Sequence, residues 1–206
     1  MQRIPALRIR PKAYERKAGL SEPMKTLALL FKTNSSAGCY TCMITIGKKL
    51  QASLKNILAQ DPWYGPATYD IIDKVSFEAA YEKPPGAVHS IAGILLHMLG
   101  WTQEVSARMG GQTAGEPAGG DWPNPGTPDE HKWKQLVADF KLANVNLERI
   151  IGDFPADNWN MPTNDERNSE EGTGVSYEAL IKGLIQHHIY HSGQIALLNR
   201  IAGSLT

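Results

Sequence analysis

Cysteine is nearly absent from this chain: two in 206 residues, Cys39 and Cys42. Two cysteines build no disulfide framework, so a reducing compartment is expected and the cytoplasm is the expected location. Cys39-Tyr40-Thr41-Cys42 matches a C-x-x-C pattern. It stands at the end of a Ser/Gly-rich stretch rather than between a strand and a helix, and no second pair completes a zinc knuckle. Long apolar runs are also missing. None approaches the ~20 residues of a membrane span. The apolar run from Thr26 to Phe31 is too short for a secretory signal and is interrupted by Lys32. Net charge is zero, so no partner among nucleic acids or membrane surfaces is expected. There is no phosphate-binding glycine loop, no serine nucleophile elbow and no H-E-x-x-H.

The zero charge hides an asymmetry. Residues 1–42 carry eight Lys/Arg and two Asp/Glu, and residues 43–206 carry thirteen and nineteen. The basic piece reads as an extension, or as sequence ahead of a start at Met43, joined to a mildly acidic globular domain at 43–206.

From Met43 the apolar residues recur at helical spacing. Ile46, Leu50, Leu54, Ile57 and Leu58 predict a first helix over about 43–60, stopped by Asp61-Pro62. A connector follows, with short helical pieces, one capped by Ser76. A second helix is expected from about Ser90 to Met109, ended by Gly110-Gly111. Residues 110–126 are rich in Gly and Pro and show no periodicity. A third helix starts at Thr127-Pro128-Asp129-Glu130, with Thr127 as cap, and ends at Gly152. Residues 153–175 read as a polar loop. Ser176 caps a fourth helix, with Val175 and Leu180 at staple spacing. Four amphipathic helices and no strand pattern predict an all-α four-helix bundle. The 17-residue loop after the second helix can span up to ~55 Å. The second and third helices are therefore free to run parallel.

The chemistry concentrates in histidine. His187 and His191 stand four apart and point the same way from a helix. Leu180, Leu184, His187, His191, Gln194 and Leu198 share one stripe. His97 lies on the second helix with Ser90, Ile94 and Trp101, again on a core-facing surface. Buried imidazoles need partners, because an unsatisfied buried polar group costs roughly 1–3 kcal/mol. A shared divalent ion meets that need, and three neutral imidazoles leave it one or more open positions. Histidines bonded to side chains or water are the alternative. Gln194 and Tyr190 are candidates for orienting a ligand, Tyr190 with its ring in the core and its hydroxyl toward the site. His188 points about 100° away, toward another helix or the rim. His89 suits a cap or connector and His131 an exposed first turn. Glu104 stands two turns from His97, too far for shared ligation. Gly193 suggests close approach of a neighbouring helix or cofactor. Asp165-Glu166 and Glu170-Glu171 read as solvated pairs.

His187-His188-Ile189-Tyr190-His191-Ser192-Gly193-Gln194-Ile195 resembles the H-x-x-x-H…G-Q ending of the DinB family, within the DinB/YfiT-like metal-binding superfamily. His89 through Trp101 resembles its helix-2 motif. Asp61-Pro62-Trp63-Tyr64-Gly65-Pro66 and Val75-Ser76-Phe77-Glu78-Ala79-Ala80 are similar to family segments too. The resemblance covers roughly 43–203. It implies an up-down-down-up four-helix bundle, here with a short extra N-terminal segment. It implies a divalent metal, usually zinc or nickel, on residues matching His97, His187 and His191, and commonly a homodimer. Roles in the superfamily include transferases using low-molecular-weight thiols and metal-dependent hydrolases, so a small-molecule substrate is implied. A non-catalytic or stress-associated bundle with a structural ion is the alternative.

Overall fold

A computed structural model describes residues 45–166 and 175–203. The basic segment 1–42, with Cys39 and Cys42, lies outside them, as do Glu170 and Glu171.

Among the described residues are four long α-helices and two short ones: α1 Ile46–Ala59, α2 Thr68–Ile72, α3 Phe77–Tyr81, α4 Ile91–Met109, α5 Glu130–Asp153 and α6 Tyr177–Ala202. Each long helix begins where a short polar side chain accepts an otherwise orphaned backbone N–H. Thr45 accepts from Lys48, Ser90 from Gly93 and Ser176 from Ala179; Ser76 does the same for α3 through Ala79. The cap of α5 is Asp129, which accepts from Lys132 N at 3.0 Å, and not Thr127. The Asp129 carboxylate stands three residues before a free N–H, so the helix starts two residues later than the Thr127-Pro128 signal suggests. α4 ends at Gly110, and Gly111 turns the chain in the left-handed region, φ +87°, where glycine has no steric penalty.

The helices bury one continuous apolar core. It includes Leu54 and Leu58 from α1, Leu95 and Met98 from α4, Phe140 and Leu147 from α5, and Ile181 and Ile195 from α6. The segment after α5 is not simply a polar loop. A 3-10 turn, Ala156–Asn158, delivers Trp159 into the core, 1% exposed, against Phe154. Gly47 makes room for it, since a Cβ there would stand 3.1 Å from the indole and from Ile151 O. Val175 is half exposed.

The contacts fix how neighbouring helices run. Gln51 near the start of α1 donates to Glu148 O near the end of α5. Thr102 meets His188, while Ile94, about two turns earlier in α4, lines a groove with Leu198, later in α6. Leu96 and Leu99 flank a cleft with Leu136, and Gln103 and Ser106 one with Leu142 and Asn146, so α4 and α5 advance together. Among the described residues β-pairing is confined to one isolated bridge, Pro162 with Ser176. None of their helices is long and apolar enough to cross a membrane.

Candidate metal centre

Helical spacing places His187 and His191 on the face of α6 that meets α4, and His97 comes from the facing turn of α4. His97 and His191 are buried and His187 is partly so. One ring nitrogen from each lies within 4.8 Å of the others. His97 Nε2 and His187 Nε2 are 2.8 Å apart.

Two of the three rings are oriented by carbonyl oxygens. His97 Nδ1 lies 2.6 Å from the backbone O of Asp121, and His191 Nδ1 lies 2.6 Å from Gln194 Oε1. A carbonyl only accepts, so both Nδ1 atoms carry the proton and both Nε2 atoms keep a lone pair. His97 Nε2 therefore presents a lone pair to His187 Nε2. Without an ion, His187 must donate there, and its Nδ1 is then an acceptor; that atom is buried and, like His188 Nδ1, has no hydrogen-bond partner among the described residues. A cation held by the three Nε2 atoms would engage all three lone pairs at once, with His187 protonated on Nδ1 instead. The donor set, three imidazoles with two oriented from behind, fits a divalent ion.

Electrostatics agree. Burial holds His187 down to about 4, with His191 and His97 adding to the effect. Burial also lowers His191, partly offset by its bond to Gln194. Both rings are neutral at pH 7, the form that ligates.

The loop between α4 and α5 completes the site, and its role was not legible in the sequence. Trp122 stacks between His97 and His89, with ring centroids 3.8 and 3.7 Å away and planes within 6° and 11° of parallel. Asp121 sets His97 through its carbonyl, and its carboxylate accepts from Trp101 Nε1 at 2.7 Å. The only signal was an Asp-Trp pair inside an otherwise aperiodic Gly/Pro stretch. His89 is thus a stacking partner of the loop rather than a cap.

The remaining candidates fall outside the cluster. His188 is fully buried on the neighbouring face, where its Nε2 meets Asn144 Oδ1 at 3.2 Å and Thr102 Oγ1 at 3.3 Å. Burial pushes it down to about 3. Tyr190 is not a core ring: it is 63% exposed and stands edge-on against His191. No neighbouring helix closes on Gly193 among the described residues: a Cβ there would meet no atom within 4 Å. Glu104 is engaged by Arg108 and Gly115 N. His131 is exposed, and Asp165 and Glu166 belong to no ligating cluster among the described residues.

An all-helical protein with three convergent imidazoles between two helices is the class that this geometry defines. Residues 50–205 match the DinB family, and the chain belongs to that family. No curated protein and no solved structure matches it.

Proposed function

We propose that this DinB-family protein is a divalent-metal-dependent enzyme acting on a small molecule, with the ion on His97, His187 and His191. Zinc or nickel is the ion that this donor set suits best. The observation that carries the reading is the convergence of three ring nitrogens, two of them on rings whose Nδ1 is already fixed by a carbonyl. Such an ion supplies Lewis acidity, holding a thiol as thiolate or lowering the pKa of a bound water. The chain's own part is to orient His97 through Asp121, to orient His191 through Gln194, and to shield one side with Trp122. A groove of about 430 Å³ opens beside His191, and access from a groove favours catalysis over a purely structural ion. The reactions in view are transfer to or from a low-molecular-weight thiol and hydrolysis. A stress-associated bundle with a structural ion is the competing reading.

We place the family's domain at 43–206 and read residues 1–42 as an addition to it. The four long helices are read as an up-down-down-up bundle. Three pairings support this: α1 runs against α5, α4 against α6, and α4 along α5. A cytoplasmic homodimer is the proposed setting.

The test is metal content of protein purified without a histidine tag. His97→Ala, His187→Ala and His191→Ala should each abolish stoichiometric metal. His89→Ala, His131→Ala and His188→Ala should retain it. Full occupancy in His97→Ala would remove α4 from the site.

A further inference from the structure

We propose, on the strength of the metal-centre reading, that the groove beside His191 admits an uncharged apolar small molecule with one donor atom and discriminates against polyanionic thiols. The groove holds about 430 Å³, near the small end of the ~300–1,000 Å³ usual for ligand sites. Its apolar wall is Val88, Ile94, Trp122, Tyr190, Leu197 and Leu198. Val88, Tyr190 and Leu197 are 73%, 63% and 60% exposed, so three large side chains meet water around one opening. Isolated exposed apolar residues are ordinary, but a group rimming a cavity marks a binding surface. Besides the Tyr190 hydroxyl and the Trp122 N–H, polar character comes from His89, His191 and Gln194, all uncharged groups or imidazoles. It is placed to meet one donor atom rather than a string of charges.

The charges near the opening point the same way. Among the described residues lining this groove there is no Lys, Arg, Asp or Glu. The carboxylate beside the cluster is Asp121, with Oδ1 3.3 Å from His97 Nδ1, and its field reaches both His187 and His191. A second carboxylate or a phosphate on the ligand would lose its hydration and gain no cation from the wall, while the ion's double charge would already be balanced by the bound thiolate and the Asp121 carboxylate. A competing cation is Lys83. It lines an adjoining groove that shares Val88, His89 and Trp122 with this one but does not include His191. Trp122, clamped between two imidazoles, forms part of both walls.

The experiment compares two thiols that differ in charge, using cobalt-loaded full-length protein. Phenylmethanethiol is uncharged and apolar; mercaptosuccinate carries two carboxylates. Each binds as thiolate, releasing its proton to buffer, and sulfur-to-cobalt charge-transfer absorption reports occupancy. Phenylmethanethiol should half-saturate at a concentration at least about tenfold lower, from burial of its ring. Leu197→Lys, a substitution at an exposed helical position, should narrow or reverse that preference while the cobalt content stays unchanged. Equal or tighter binding of mercaptosuccinate to the unaltered protein overturns the proposal, as does mercaptosuccinate binding that Lys83→Gln abolishes. So does a spectrum that neither thiol changes while cobalt is retained. Cobalt content after desalting separates the two readings. If no cobalt is retained, the metal centre itself fails and the inference falls with it; if cobalt is retained with the opposite preference, only the inference fails.

Discussion

His188 and His191 stand one turn apart on α6, both buried, and they serve opposite ends. His188 faces α4 and α5, where Asn144 and Thr102 meet its Nε2. His191 faces a second and a third imidazole across a gap that opens on a groove. The first arrangement is a polar tie between helices inside an apolar core. The second gathers three ring nitrogens that a proton can tie only in pairs, and a positive ion would engage all three at once. Burial alone therefore does not separate a structural histidine from a ligand. What separates them is whether the ring nitrogen meets amide and hydroxyl side chains or further imidazoles.

The comparison is sharpest where one histidine is removed and the other function is read. His188→Ala should cost the metal-free protein about 2–4 kcal/mol, because it opens a cavity and strands Asn144 in the core. Urea unfolding measures this, and metal stoichiometry should stay unchanged. Loss of metal together with stability would erase the distinction between the two faces. Gln194→Ala should do the reverse. It removes the acceptor behind His191 and should weaken metal binding about 10–100-fold, with little change in unfolding, as a competitive chelator titration would show.

A smaller effect is expected from pH. Both His187 and His188 are held below their ordinary value of 6.5, to about 4 and about 3, so the folded state favours the neutral rings. As pH falls below 6.5 the unfolded chain takes up protons first, and stability is lost progressively toward pH 4. Above pH 7 neither ring contributes any slope. Urea midpoints of the metal-free protein between pH 8 and pH 4 measure this, and His188→Gln should make the decline shallower. An unchanged slope in that variant would mean that His188 is not the buried neutral group described here.

Much of the fold was legible because a 3.6-residue apolar period is a local property. The starts of α4 and α6 at Ser90 and Ser176 follow from the same local chemistry. The start of α5 was misread because Thr127 and Asp129 both suit a cap, and backbone geometry around Gly126 and Pro128 decides between them. Trp159 was read as loop because its burial depends on Gly47, over a hundred residues earlier. At the site, spacing alone sets His187 beside His191 and directs His188 elsewhere. Tyr190 shows the limit of that argument, since a stripe tens of degrees wide does not say which flank meets water. The stacking of Trp122 on His97 and the carbonyl of Asp121 are tertiary contacts of an aperiodic loop, and no periodicity encodes them.

The central claim is that one ion sits on three imidazoles drawn from α4 and α6. X-ray absorption at the edge of the metal bound to untagged protein tests it most directly. The account predicts about one ion per chain, with three imidazole nitrogens at ~2.0–2.1 Å and any remaining position filled by oxygen, and loss of that shell in His97→Ala. A protein that retains no stoichiometric ion, or whose metal shell is identical after His97→Ala, would contradict it.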